Sequence, residues 1–400
     1  MSKQLLEGIR VLDFTDFLAG PYCGIYLADL GAEVIKIENL KGGGCFTRGA
    51  SPREEKTGFS MYFGNLNRNK KSVCLDLKTE EGKELFTELV KSADVLLENM
   101  RPGVMAKLGF SYDNCRELNP RLVFASISEF GQTGPYSKRP GYDLIAQAMG
   151  GSMSITGWPG SEPTRAGMAI GDIMAGMNAC IGILGSLFKR NETGLGQQID
   201  VALVDSIVSG LEAKAMQYIY EGKVPEKTGN KYIASAPYDS FTAKDAHFVI
   251  ASGTDAHFKV LSESIGKPEL ADNPLYNNTP NRRTNADSLK AIINEWASDK
   301  TVAQCVEIID GVGIPVAPIY DVKDLYEDKN ISEVREMFVK VPHPELGEVT
   351  VLGNPIKMSE YSCQYKKFAA ELGEDDNEVF EQLGFSKEKV DDYIAKGIII

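Results

Sequence analysis

The sequence predicts an α/β protein whose first half is a doubly wound parallel sheet, followed by a smaller α+β segment. Two patterns predict it. Short apolar runs alternate with longer amphipathic stretches, the signature of βαβ units joined by crossover helices. The Pro-, Gly- and Lys-rich stretch EGKVPEKTGN (221–230) then breaks the alternation and marks a boundary.

Residues 9–14 form the first strand-like run, and Gly20-Pro21 punctuates it. Helical spacing follows over 22–30, then a second strand at 32–38 (AEVIKIE). Residues 72–77, 94–98 and 122–128 are further strands, separated by amphipathic helices such as 79–92. A long helix rich in small and apolar residues is expected over 173–189, and 198–203 returns to strand. After the break come a smaller α+β segment to about Tyr320, a linker and a helical tail.

Composition narrows the function. The chain has 400 residues, 43% of them apolar, which suits a folded core. Forty-three Lys and Arg against 56 Asp and Glu give a net charge of −13. That balance excludes a general binder of nucleic acid or anionic membrane, while leaving room for a phosphorylated ligand held by a few local cations. The seven Cys are scattered with no Cys-x-x-Cys pair, and there are only three His, so neither a disulfide framework nor a structural metal site is expected. The opening MSKQLLEGIRVLDF passes straight into a strand, and no apolar run reaches the roughly 20 residues of a membrane span. A cytoplasmic enzyme or binding protein is the expectation.

The first βαβ unit invites a dinucleotide site, with Glu38 where a ribose-binding acid would stand. Its turn, DFTDFLAGP (13–21), lacks the Gly-x-Gly-x-x-Gly that lets backbone approach a pyrophosphate. Two cationic loops are better candidates. NLNRNKKSV (65–73) carries Arg68, Lys70 and Lys71, and ENMRPGVMAKLGF (98–110) carries Arg101 and Lys107. Each also reads as an ordinary solvated loop. In PTRAGMAIGDIMAGMNACIGILGSLFKR (163–190), Asp172 is expected to cap a helix N-terminus, ionised by the dipole and free N–H groups. A plain cap is the alternative. Glycines 167, 171 and 176 favour a nucleophile by clearing space around one carboxylate. His247 and His257 bracket a strand, His343 lies between prolines in a loop, and no Gly-x-Ser-x-Gly elbow is present, so a hydrolase triad is disfavoured.

Taken together, LLEGIRVLDFTDFLAGPYCGIYLADLGAEVIKIE, NLNRNKKSVCLDL, ENMRPGVMAKLGF, NPRLVFASIS, FGQTGP, GYDLIAQAMGG, the Asp172 stretch and TGLGQQIDVAL resemble the class III CoA-transferases, the formyl-CoA/carnitine CoA-transferase (CaiB–BaiF) family. The resemblance continues to the C-terminal LGFSKEKVDDYIAKGI. It implies a large Rossmann-like domain (1–205, completed by 340–400), a small α+β domain (225–320), linkers at 206–224 and 321–339, and an interlocked homodimer. It also implies Asp172 as the nucleophile that passes acyl groups and CoA, with an acyl-CoA donor, a carboxylic acid acceptor and no resident cofactor or metal.

By the same resemblance, Phe17 and Leu18 would lie beside the CoA chain and thiol. Lys70, Lys71, Arg101 and Lys107 would lie near its adenosine and phosphates. Asn99 and Met100 would sit near adenine or pantetheine, and Tyr142 near the thioester with Asp143 close by. The nearest likeness is to transferases of 2-hydroxy acids in amino-acid fermentation, such as (R)-2-hydroxyisocaproate. Phe17, Leu18 and the segment AMGGSMSI (148–155) would supply an apolar acid pocket. Four positions depart from the family pattern: Asp16 replaces a His, Asn39 an Arg and Glu129 a Gly, and GNKYIASAPY replaces a run of glycines. Two rivals remain. An α-methylacyl-CoA racemase would need a base where this chain has Tyr142, and a non-catalytic CoA-binding module would not need Asp172.

Overall fold

The computed structural model describes residues 4–400; the first three residues of the expected large domain lie outside it. The described chain divides into two compact units. One comprises the chain up to Ser152 with Arg165–Ala213 and Lys329–Ile400; the other comprises Met153–Thr164 and Lys214–Asp328.

Six strands build the sheet of the first unit: β1 (Arg10–Phe14), β2 (Glu33–Asn39), β3 (Lys71–Leu75), β4 (Val95–Glu98), β5 (Val123–Ser128) and β6 (Gln198–Ala202). All pair in parallel, in the order β3-β2-β1-β4-β5-β6. The order reverses between β1 and β4, and ligands of such sheets bind beyond the carboxyl ends at that reversal. Both faces of β1 to β5 are covered, so these strands are buried on both sides, whereas edge strand β6 alternates exposed and partly buried residues. Leu12, Ile35, Val73 and Leu96 pack under the Glu80–Ser92 helix and the C-terminal Val379, Phe380 and Val390. Val11, Val34, Val95 and Val123 pack under the Ala19–Asp29 and Ile170–Thr193 helices. Edge strand β3 is covered by the tail: Asp375 accepts the Ser72 N–H and Asp376 that of Cys74, each at 2.8 Å.

The Ile170–Thr193 helix is longer at both ends than the sequence pattern suggested. With 24 residues and a mean hydropathy of 1.4 over its most apolar window, it does match a membrane span in length and composition, contrary to expectation. Its apolar side is a core face, where Ala175, Ala179, Ile183 and Leu187 are buried. Arg190, also buried, pairs with Asp94 at 2.8 Å.

The second unit holds a three-stranded antiparallel sheet of β7 (Tyr238–Thr242), β8 (His247–Ala251) and β9 (Val316–Pro318). Its core gathers Phe241, Phe248, Phe258 and Leu289. Stretches expected to be linkers are helical at Leu203–Ser209, Glu212–Glu221 and Val322–Glu327. Back in the first unit, β10 (Phe338–His343) and β11 (Gly347–Leu352) form a hairpin that the sequence pattern does not indicate. His343 therefore ends a strand rather than sitting in a loop, and its Nδ1 accepts the Glu345 and Leu346 N–H groups.

Under the turn after β1 lies a buried ionic cluster. Lys70 Nζ donates to Asp13 at 2.7 Å, to Asn67 Oδ1 at 3.0 Å and to the Pro21 carbonyl at 3.1 Å. Lys36 Nζ donates to the Thr15 carbonyl at 2.8 Å, and the Thr15 hydroxyl and N–H both donate to Asp13. Burial pushes the Asp13 carboxyl up, but Lys70 and Lys36 outweigh it and hold it below its ordinary value. Removing one partner of such a pair strands a buried charge. Lys70→Met should therefore lose about 3–5 kcal/mol of unfolding free energy, read from urea denaturation; a loss under about 1 kcal/mol, the scale of a surface pair, would contradict this placement.

Candidate active site

The loops after β1, β4 and β5 enclose a cavity of about 270 Å³. Asp172, Phe17, Asn99, Met100, Arg101 and Tyr142 line it, so six of the ten residues expected at the site share one cavity. Each is positioned by its own local structure. The Asn99 Oδ1 accepts the Asp16 N–H at 2.8 Å and its Nδ2 donates to the Asp16 carbonyl at 2.7 Å, tying the β4 loop to the β1 loop. The Asp16 carboxylate accepts N–H groups from Phe17 and Phe46 and the Cys45 thiol. Phe17 adopts φ +62°, the left-handed region, and its ring meets Tyr142 edge-on at 5.3 Å.

Four expected residues lie elsewhere. Lys70 is 1% exposed and saturated by Asp13, Asn67 and Pro21, so it has no face for a phosphate. Lys71 pairs with Glu33 at 2.8 Å and Glu378 at 2.9 Å on the edge strand. Leu18 precedes the Ala19–Asp29 helix, and Lys107 lies on the surface helix Val104–Leu108; neither lines the cavity. Nor does the segment 148–155, so the apolar wall comes instead from Phe17, Ala19, Met100, Ile127 and Leu203. Arg68 is likewise taken, by Asp29 at 2.5 Å. Glu38 is held by Arg48, Ser72 and the Cys45 N–H.

Asp172 departs from the capping role in an informative way. The cap position is Ala169, and Asp172 lies inside the first turn. The helix start is instead satisfied by Asp143, whose Oδ1 accepts the Gly171 N–H at 2.8 Å while Oδ2 accepts from Gln147 at 2.7 Å. Asp172 is left to accept the Ala19 N–H. Burial first, and the Asp143 charge second, push its carboxyl up to about 7, against that one N–H. It is thus not held ionised by a helix end, as the sequence suggested. Gly171 and Gly176 serve close contact rather than space around the carboxylate, a Cβ at Gly176 lying 2.6 Å from the Ala19 carbonyl, while Gly167 has open space around it. That close approach brings the Ala19 backbone to Asp172.

Three lining residues were not assigned a role by sequence reasoning. Ser128 and Glu129 end β5 at the cavity, and Arg139 stacks on Tyr136 at 4.8 Å. Glu129 is also pushed up to about 7, by burial and then by Asp172 and Asp143. The signal available was position: Ser128 ends the predicted strand 122–128 and Glu129 follows it. Arg101 and Arg139 have no carboxylate partner among the described residues and give the cavity two free cations for an anionic ligand. No cluster of metal-ligating side chains occurs among the described residues.

The folded chain holds the Asp172 proton up to about 7, whereas an unfolded chain releases it near 3.8. Ionising this group therefore costs the fold stability above about pH 7, and the cost fades as pH falls toward 4. Asp172→Asn, which cannot ionise, should melt higher than the wild type at about pH 8 and equal it near pH 4. Circular-dichroism melts with a difference independent of pH would contradict the shift.

Comparison with known proteins agrees with this architecture. The family model for CoA-transferase family III matches residues 6–376. The chain is 41% identical over 368 residues to an acetyl-CoA:oxalate CoA-transferase of Acetobacter aceti, covering 91% of this chain and 92% of that protein. It is 39% identical over 363 residues to a succinyl-CoA:mesaconate CoA-transferase of Haloarcula hispanica, covering 89% and 90%. A crystal structure of a CAIB/BAIF family protein from Brucella suis superposes with a TM-score of 0.86 at 35% identity, covering 96% of this chain and all of that one. A doubly wound sheet with a carboxylate-bearing cavity at its reversal and this likeness along nearly the whole length have one reading: the chain belongs to CoA-transferase family III and is a CoA-transferase acting on acyl-CoA thioesters.

Proposed function

We propose that Asp172 is the nucleophile of this transferase and that the cavity around it holds the reacting thioester. The observation that carries the reading is one half-buried carboxylate facing the cavity, with a single backbone N–H as partner. Its lone pairs are otherwise unspent, and partial desolvation makes the ionised form reactive.

In the proposed sequence, the Asp172 carboxylate adds to the donor thioester carbonyl and the C–S bond breaks. An aspartyl–acyl anhydride and free CoA thiolate result. The thiolate attacks the aspartyl carbonyl of the anhydride, releasing the donor's carboxylate and leaving an aspartyl-CoA thioester. The acceptor carboxylate attacks that thioester, giving a second anhydride and thiolate again. Attack of the thiolate on the acceptor's acyl carbon yields the new acyl-CoA and restores Asp172. Every bond broken is matched by one formed, and no proton or electron is supplied from outside. The Ala19 N–H is the group that aligns the nucleophile, and Arg101 and Arg139 are suited to the anionic parts of CoA or acid.

Phe17, Asn99, Met100 and Tyr142 are proposed as contacts of the CoA chain, on the strength of sharing this cavity. The acid is proposed to be small and aliphatic, with or without a 2-hydroxyl, as in (R)-2-hydroxyisocaproate. A cavity of about 270 Å³ walled partly by Phe17, Met100, Ile127 and Leu203 supports that size and polarity. A racemase is disfavoured because Asp143 is spent on Gly171 and Gln147, leaving exposed Tyr142 as the base. A cytoplasmic homodimer is part of the proposal. A stripe of Met177, Ile181 and Phe188, 44%, 67% and 73% exposed, on the nucleophile's own helix supports the pairing.

Three outcomes test the mechanism. Asp172→Ala should lower kcat by about a thousandfold or more in a coupled CoA-transfer assay, and hydroxylamine should trap a hydroxamate on Asp172 in the wild type only. Because protonation removes the nucleophile, kcat/KM should fall with decreasing pH from about 7, the value to which burial and Asp143 raise Asp172. Transfer that survives Asp172→Ala would rule the aspartyl intermediates out, and a wild-type rate flat from about pH 5 to 8 would contradict the raised acidity range of Asp172.

A further inference from the structure

At the carboxyl end of β5, two neighbouring side chains reach the cavity with nothing to bond. Ser128 is 7% exposed and Glu129 8%. The Ser128 hydroxyl and both Glu129 carboxyl oxygens have no hydrogen-bond partner. Both residues line the same cavity as Asp172. Buried polar groups left unpaired are costly to a fold, and their persistence points to a partner that arrives from outside the chain. The Glu129 carboxyl packs against the Gly141 backbone, where a Cβ would lie 2.3 Å from its Cδ and push it aside. Asp143, by contrast, has spent both of its oxygens on Gly171 and Gln147.

We propose that Ser128 and Glu129 form a polar subsite that binds a hydroxyl group on the acid being activated, selecting hydroxylated acids over their deoxy counterparts. The assignment rests on the CoA-transfer reading of the cavity and names the specificity element within it. A hydroxyl is the group that fits because it donates and accepts at once, as the Ser128 hydroxyl and a protonated Glu129 also do. A second carboxylate fits poorly, since Asp172 and Asp143 already place negative charge around Glu129. An ammonium group fits poorly for the opposite reason, because Arg101 and Arg139 share the wall. Burial and the two neighbouring carboxylates push Glu129 up to about 7, so near neutral pH a substantial share of it keeps the proton and offers an O–H.

The test compares 2-hydroxy-4-methylpentanoate with 4-methylpentanoate as acceptors, in the full-length wild type and in Glu129→Leu, Glu129→Gln and Ser128→Ala. The wild-type ratio of kcat/KM should favour the hydroxy acid. Glu129→Leu should reduce that ratio about tenfold or more, Ser128→Ala by a smaller factor, and Glu129→Gln, which keeps a donor and an acceptor, should restore most of it. Equal losses with both acids in Glu129→Leu would overturn the subsite and leave Glu129 a packing element. A loss confined to an acid bearing a quaternary ammonium would overturn it in favour of a cation site. Unfolding of Glu129→Leu is checked by its melting curve, with Ser128→Ala and Glu129→Gln carrying the comparison if it melts early. Hydroxylamine trapping on Asp172 in the wild type separates the two ideas. With no trapped adduct the transfer mechanism fails, and calorimetric binding of the hydroxy acid against its deoxy analogue still decides the subsite.

Discussion

The site depends on the ion pair between Asp13 and Lys70, both fully buried under the first strand–helix turn. Two charges in that position are tolerable only because Lys36, Thr15, Asn67 and the Pro21 carbonyl complete the hydrogen bonding. The same contacts fix the backbone from Thr15 to Pro21, the stretch that aims the Ala19 N–H at Asp172. A dinucleotide-binding protein shapes this turn with glycines and leaves its N–H groups for a pyrophosphate. Here a salt bridge shapes the turn from beneath, and one N–H is directed at a carboxylate.

Around Asp172 two electrostatic influences oppose each other. Removal from water and the charge of Asp143 hold its proton, and the Ala19 N–H releases it. The balance near 7 leaves the group partly ionised at neutral pH and poorly solvated when it is, a state suited to attacking a carbonyl. Asp143 contributes twice. It caps the helix that carries Asp172 and it raises the energy of the ionised nucleophile, so the two carboxylates have separate tasks set by their hydrogen-bond partners.

Much of the fold was legible because it follows from patterns local in sequence. The apolar runs that predicted strands are strands in a six-stranded parallel sheet, and Asp172 stands at a helix start as read. What was not legible is long-range. Lys70 and Lys71 look like an exposed phosphate cluster until Asp13, 57 residues away, is seen to consume one of them. Helix capping by Asp143 spans 28 residues and reverses the role that Gly171-Asp172 suggests on its own. The hairpin at 338–352 was missed because prolines and glycines at 342, 344 and 347 imitate a loop. Ser128 and Glu129 read as the end of a strand; their significance lies in partners they lack, which sequence does not record.

The two-point grip of Asn99 on Asp16 has a thermal corollary. Phe17 sits beside it in a conformation that costs a non-glycine residue about 1–3 kcal/mol, and that strain is confined by the Asn99 and Asp16 hydrogen bonds. These bonds lie at the partly exposed mouth of the cavity, far weaker protection than the interior of the sheet. On warming, such part-buried loop bonds open more readily than the pairing of the sheet interior. Loss of that grip would let Phe17 relax while the ion pair beneath still held the Ala19 backbone and every strand stayed paired, so the mouth of the cavity is able to loosen independently of the core.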